Sequence, residues 1–532
     1  MGQEIDGVKE TTDDESKKLN EINNNFVETC KECDVNITRT TLQEFYSNEC
    51  IFITGGTGFL GKILIEKLLR CCPDISRLYL LVRSKKNKNI TDRIDELFHN
   101  RIFDRLREKM PEFSNKIIGI PGDCSLPGLG LSTEDTQRLI DEVTIVFHAA
   151  ATVRFDEEII EATAINIQST YSINDLCQRM PKLKSFVHVS TAYANCFSPN
   201  IEEKFYDYSI KCQEFLDLVK LLSKDVMYKI SPHLMTSWPN TYTFTKALAE
   251  DLIRTKSKDL PIGIFRPGIV ISTAEEPIPG WIDNYYGPTG IVAAIVSGVM
   301  RALHCDSEKI ANIVPVDLTV NALIASAWDI AAQVDRRNEK MLIYNFTSTV
   351  EAPIKWGKFG QNIIKYVDKY PTKSALWYSV CKLRKYKFMY CLRIFFLHWI
   401  PATLLDLIAV GSGQKPRFKK MYEKMHKFAY VISPFCTNEW VFTNNNVRNL
   451  WQRLNSQDKL MFKFSMGNFD WNQYLDDYVK GVRIYLLKDD IKTLEASKVK
   501  WRRLYWMDKL VQILLFAFGC WLLWNILSPI FK

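Results

Sequence analysis

Residues 51–61 read Ile51-Phe52-Ile53-Thr54-Gly55-Gly56-Thr57-Gly58-Phe59-Leu60-Gly61. Three apolar residues, two of them β-branched, predict a buried strand, and apolar positions at Ile63, Leu64, Leu68 and Leu69 predict a helix directly after it. Between the two, Gly55 and Gly58 let the backbone turn tightly and approach a ligand, while Gly61 lets the helix pack close to the strand. The helix N-terminus then offers free N–H groups and a partial positive charge, which suit a dinucleotide pyrophosphate. The placement between a strand and a helix separates this motif from a flexible glycine loop.

The next apolar run, Leu78-Tyr79-Leu80-Leu81-Val82, ends in Arg83 where an NAD site would carry an acid, and Ser84, Lys85 and Lys86 follow. A guanidinium there suits the 2′-phosphate of NADP, so NADPH is the expected cofactor and reduction the expected direction. From residue 51 to about 350, strands and helices alternate, the pattern of a doubly wound parallel sheet in an α/β fold of Rossmann type. Lys116-Ile117-Ile118-Gly119-Ile120 is a third strand, and Asp123 beyond it can accept a hydrogen bond from an adenine amino group. Thr144-Ile145-Val146-Phe147-His148 is a fourth, whose small followers Ala149 and Ala150 leave room for the cofactor; His148 at its buried end reads as structural rather than catalytic.

A fifth strand, 185–189, delivers Ser190 and Thr191 to the carboxyl edge of the sheet, where open α/β folds bind their ligands. Tyr242 and Lys246 fall one helical turn apart on one face. A phenol has an ordinary pKa of about 10. A neighbouring ammonium and an oxidised nicotinamide both favour the phenolate, so a lowered pKa is expected there. The strand 262–265 then runs into Arg266-Pro267-Gly268, whose backbone can close over a nicotinamide.

Taken in order, these residues resemble the extended short-chain dehydrogenase/reductase superfamily, with TGGTGFLG at 54–61 and YxxxK at 242–246. The resemblance implies that Thr191 polarises a carbonyl, with Ser190 as the adjacent alternative. It makes Tyr242 the proton donor and Lys246 the partner of the nicotinamide ribose. It places Thr54, Gly55, Gly58, Phe59, Leu60, Gly61, Arg83, Asp123, Ala149, Ala150, Lys246 and Pro267 around NADPH, and implies no metal. The insertion at about 197–240, holding Phe205, Tyr206, Phe215, Leu218, Leu221 and Leu222, is expected to cap an apolar substrate.

The 532 residues exceed one core, and two or three domains are expected. The net charge of +8 is not interleaved with base-stacking aromatics in any nucleic-acid module, so a membrane surface or anionic ligand fits better. Fourteen cysteines without a regular framework, and no signal-peptide pattern, read as reduced thiols facing the cytosol. Cys30 and Cys33 lack a second ligand pair, and Asp6 spoils a myristoylation pattern at Met1-Gly2. Residues 1–40 are polar and read as disordered.

From 355 to 495 helical patterns dominate. Residues 389–410 are apolar but contain Arg393, His398, Pro401 and Asp406, and read as two helices broken at Pro401, buried or dipping into an interface rather than spanning. Lys382, Arg384, Lys385 and Lys387 before them can face anionic headgroups. Residues 510–527 carry no formal charge and as a helix reach roughly 27 Å, the thickness of a bilayer's hydrocarbon. Trp501, Tyr505 and Trp506 suit the interface. Lys498, Lys500, Arg502, Arg503 and Lys509 precede the segment against Lys532 after it, the pattern of a tail anchor with the enzyme in the cytosol, at the endoplasmic reticulum or peroxisome.

The run Gly481-Val482-Arg483-Ile484-Tyr485-Leu486-Leu487-Lys488 resembles the male-sterility-type C-terminal domain of fatty acyl-CoA reductases, and Phe45-Tyr46 and Pro315-Val316-Asp317 also match that family, the insect-type members best. The likeness implies reduction of a long-chain acyl-CoA to a primary alcohol through an aldehyde, with two NADPH consumed and coenzyme A released. Open alternatives are a reductase that stops at the aldehyde or acts on a sterol or other hydroxyl lipid, and an inactive nucleotide-binding membrane scaffold. The sequence assigns no oligomeric state.

Overall fold

Seven parallel strands carry the nucleotide half of the chain. A computed structural model describes residues 39–84, 89–333 and 341–527. Lys85, Lys86, the Cys30/Cys33 pair, the Met1-Gly2 pattern, the polar stretch up to residue 38 and Lys532 lie outside the described residues. From Thr41 onward the chain forms one compact unit.

The strands are β1 (Cys50–Thr54), β2 (Arg77–Val82), β3 (Ile117–Pro121), β4 (Ile145–His148), β5 (Ser185–Val189), β6 (Ile262–Pro267) and β7 (Leu342–Phe346). Their order is β7-β6-β5-β4-β1-β2-β3. The strand order reverses between β1 and β4, where Thr54 lies beside His148. That reversal opens a crevice at the carboxyl ends, the place where such sheets bind dinucleotides. The strands read as continuous apolar runs because helices cover both faces. Helix α1 (Phe59–Cys71) lies on one face; α2 (Ser169–Gln178) and the end of α3 (Thr241–Lys256) lie on the other.

The remaining elements form a second core: α4 (Pro288–Val296), α6 (Trp356–Lys369), α9 (Phe418–Thr437), α10 (Trp471–Gly481) and the first turns of α11 (Leu494–Leu527). The long α5 (Val316–Ala332), between α4 and α6 in the chain, belongs to the sheet and packs beside α1. Its Asp317 receives the backbone N–H groups of Ala274, Glu275 and Glu276 at 2.8, 2.7 and 3.0 Å. This holds the 274–281 loop against α10, where Gly280 and Gly481 meet. A Cβ on Gly481 would stand 1.7 Å from the Gly280 carbonyl oxygen, so neither position has room for a side chain.

Three expectations are corrected here. Pro401 does not break the 389–410 stretch: a π turn at Phe395–Trp399 joins α7 (Lys387–Ile394) to α8 (Ile400–Gly411), and Pro401 sits in the first turn of α8, directly after that π turn. Nor is the stretch buried, since of its larger side chains only His398 is enclosed and Phe396, Leu404, Leu407 and Ile408 are exposed. Trp501 is not an interface residue either; it packs inward and its indole N–H donates to Asp368 at 2.9 Å.

Candidate active site

The glycine turn is built by contacts no side chain would allow. Gly55 has φ +76°, and a Cβ on it would stand 2.7 Å from the Ala150 nitrogen; on Gly61 it would stand 2.2 Å from the Gly55 carbonyl oxygen. Gly58 caps α1 without a side-chain bond, which leaves first-turn N–H groups of the helix for a ligand. The Thr54 hydroxyl is shared between His148 Nδ1 at 2.7 Å and the Ala150 N–H at 3.3 Å. It thereby fixes the ends of β1 and β4 side by side. His148 is fully buried, its Nε2 meets Thr170 at 3.2 Å, and burial pulls its pKa down to about 3. A neutral, fully engaged imidazole is a structural group. This cradle of glycines, small residues and open N–H groups fits a dinucleotide pyrophosphate.

At the end of β2, Arg83 is exposed, and its carbonyl oxygen accepts the Arg93 guanidinium. Arg93, on the helix Ile90–Phe98, was not singled out by the sequence because only the fold returns it to the end of β2. Beyond β3, Asp123 Oδ1 accepts both the N–H and the hydroxyl of Ser125 at 2.9 Å, which fixes the carboxylate at the crevice rim. Pro267 lies at the end of β6, paired with Phe346 of β7.

The three candidate catalytic residues converge. Thr191 follows β5, and Tyr242 and Lys246 share a face of α3, whose start is capped by Asn240 on the Thr243 N–H at 2.9 Å. The Tyr242 phenol and the Thr191 hydroxyl share the wall of one pocket, close enough for Thr191 to bear on the phenol's proton. Burial pushes that phenol up to about 12, opposed by the neighbouring Thr191 hydroxyl. The lowered value expected from a neighbouring ammonium is not found, because Lys246 directs its Nζ to the Val189 carbonyl at 2.7 Å. Lys246 is 2% exposed, and burial brings its own pKa down to about 8.

Ser190 does not face the site. Its hydroxyl donates to Glu250 at 2.5 Å, and Glu250 accepts two fully buried hydrogen bonds from the Arg266 guanidinium at 2.9 and 2.6 Å. A two-pronged guanidinium–carboxylate pair of this kind satisfies both charges without water. Asn166, in a π turn at Ala164–Gln168, bonds Thr152 and the Thr245 hydroxyl at 2.9 Å each, and so ties the loop after β4 to α3.

Thr191 and Tyr242 stand in the wall of an almost wholly apolar cavity of about 810 Å³, the open space at its mouth included. Phe155 stacks on the Tyr242 ring at 5.9 Å. Most of the wall belongs to the second core, through Ile291 and Ile295 of α4, Phe359 and Ile363 of α6, and Ile432 and Phe435 of α9. Not one lining residue comes from 197–240; there Phe215, Leu222 and Tyr206 pack with Trp238 on the outer side of α3. The cover expected from that insertion is therefore built by α4, α6 and α9. Cys305 and Cys436 also line the cavity, and the neighbouring Cys436 thiol together with burial holds the Cys305 thiol far above its usual range, which makes it a poor nucleophile.

Sequence models of the male sterility protein family match residues 53–323 and 397–489. Fatty acyl-CoA reductase wat of Drosophila melanogaster is 40% identical over 487 residues, covering 92% of this chain and 93% of that protein. This chain belongs to the fatty acyl-CoA reductase family. Fatty acyl-CoA reductase 1 of Homo sapiens is 35% identical to this reductase over 458 residues, 86% of this chain and 88% of its own. Among solved structures, the reductase domain of a nonribosomal peptide synthetase from Mycobacterium tuberculosis superposes on it with a TM-score of 0.55 at 18% identity, over 85% of this chain and 95% of that one. The terminal R domain of the myxalamid PKS-NRPS pathway gives 0.53 at 19%, over 82% and 90%. These last two show that the reductase shares their fold.

Proposed function

We propose that this reductase converts long-chain acyl-CoA to the primary alcohol with NADPH, in two reductions at one site. The observation that carries the reading is the position of Thr191 and Tyr242 in the wall of an almost wholly apolar cavity. When bound, NADPH supplies the hydride. The glycine cradle would hold its pyrophosphate, Arg83 with Arg93 its 2′-phosphate, and Lys246 its nicotinamide ribose. The Thr191 and Tyr242 hydroxyls donate to the thioester oxygen and stabilise its developing charge. Loss of thiolate from the hemithioacetal gives the aldehyde, which the apolar wall keeps from water. On the second reduction Tyr242 delivers its proton to the alkoxide. Its raised pKa keeps the phenol fully protonated at neutral pH, as a proton donor requires.

The same reading fixes the enzyme to a membrane. Two helical stretches, Lys387–Gly411 and Ile491–Asn525, are long and apolar enough to cross one. In the second, the side chains described beyond Lys509 are largely exposed apolar groups, among them Leu514, Phe516 and Trp524, and the basic cluster precedes them. This supports a tail anchor with the catalytic body in the cytosol, at the endoplasmic reticulum or peroxisome.

Incubation of the purified protein with palmitoyl-CoA and excess NADPH tests the function. Hexadecanol with free coenzyme A is expected; hexadecanal alone would favour the aldehyde-forming alternative.

A further inference from the structure

We infer that the hairpin formed by α7, α8 and α9 is a second membrane contact, which lies in the headgroup–acyl boundary of an anionic bilayer without crossing it. The inference stands on the outside of the protein and does not depend on the catalytic assignments.

The outer arm, Lys387–Gly411, exposes Phe388, Phe396, Leu404, Leu407, Ile408 and Val410, each more than half accessible. An apolar face this long on a water-facing surface marks a membrane or partner contact. Its polar groups are used inward. His398 accepts the Arg301 N–H at 3.0 Å and meets His426 of α9 at 3.1 Å. Asp406 accepts the N–H groups of Arg417, Phe418 and Lys419 at 2.8, 2.9 and 2.9 Å, capping α9. The returning arm is thus held along the outer one, and it carries exposed Lys419, Lys420 and Lys424. Carrying those ammonium groups across hydrocarbon would cost about 2.5–3.5 kcal/mol each, so the pair does not span. The same lysines, with Lys387 at the root, suit anionic headgroups.

Arg301 joins this surface to the tail helix. Its backbone N–H holds His398, and its guanidinium pairs with Asp508 of α11 at 2.8 Å, just before the uncharged segment begins at Leu510. The two apolar elements therefore leave the body from one point. The root of the hairpin is also cavity wall, through Leu383, Ile432 and Phe435. An alkyl chain in the bilayer therefore lies against the wall that encloses Tyr242.

The test reconstitutes the full-length protein in phosphatidylcholine–phosphatidylserine vesicles containing a phosphatidylcholine with a photoreactive acyl tail, and maps cross-links by peptide mass spectrometry. Labelling in 395–410 as well as 510–525 is expected. Replacing phosphatidylserine by phosphatidylcholine should lower the 395–410 labelling several-fold. The triple variant Leu404→Glu, Leu407→Glu, Ile408→Glu should lose it by about tenfold or more while tail labelling persists, which shows that the variant is folded and inserted. Labelling confined to the tail, unchanged labelling in the triple variant, or modification of an Ile408→Cys variant by an impermeant maleimide from the far side of the membrane would each overturn the inference.

Discussion

The Tyr242 phenol and the Thr191 hydroxyl stand together in the wall of the apolar cavity, although 50 residues lie between them in the chain. In the proposed mechanism the pair acts on one substrate oxygen. Thr191→Val should lower kcat by about 10²–10³-fold, the range for removing one preorganised donor, with KM for acyl-CoA little changed. Ser190→Ala is the contrast. It removes a bond to buried Glu250, so it should lower the melting temperature through a loss of about 1–3 kcal/mol while kcat stays within a few-fold of wild type. Steady-state kinetics beside thermal melting separate the two.

The alkaline limb of activity should follow Lys246. Burial lowers its pKa from 10.5 to about 8, so the ammonium is present below that value and lost as pH rises through it. With NADPH below saturation, kcat/KM should fall above pH 8. Stability should not fall with it. Between pH 8 and 10.5 the unfolded chain binds the extra proton, so this group makes folding more favourable as pH rises. Lys246→Arg, permanently charged, should remove the limb whatever activity it retains.

Cofactor choice should depend on Arg83. Arg83→Ser removes a charge-assisted bond to the 2′-phosphate and should cost about 10–100-fold in kcat/KM for NADPH, with NADH unaffected. Comparing both cofactors on one acyl-CoA measures it.

Gly61→Ala should abolish nucleotide binding, because its Cβ would fall 2.2 Å from a backbone oxygen that cannot move away. Gly360→Ala, also beside the cavity but with its nearest atom 3.6 Å away on a flexible Leu383, should bind NADPH normally. Fluorescence titration with NADPH tests both.

What could be read in the chain was local. The strand–glycine–helix run needs only neighbours in sequence to form, and Tyr242 and Lys246 are set one turn apart by the helix itself. What could not be read was assembled from distant pieces. The cavity wall comes from α4, α6 and α9, whose apolar faces look like any core-facing helix until they meet. The insertion at 197–240 had the composition of a substrate cover, yet its aromatic residues found a closer partner in the outer side of α3. Ser190 and Thr191 are adjacent and chemically alike; only Glu250 and Arg266, 60 and 76 positions beyond Ser190, separate their roles. Trp501 reads as an interface residue until Asp368 supplies a partner inside the protein.

The central claim is that Tyr242 hands the proton to the substrate oxygen while hydride adds to its carbon. A single measurement addresses it most directly: wild type and Tyr242→Phe compared with palmitoyl-CoA and NADPH deuterated at the transferred position, with NADPH binding followed in parallel. Wild type should give hexadecanol carrying two deuterons at C1. The variant should bind NADPH unchanged and lose about 10²–10⁴-fold in turnover. A variant that still makes doubly deuterated alcohol at the wild-type rate would contradict the account.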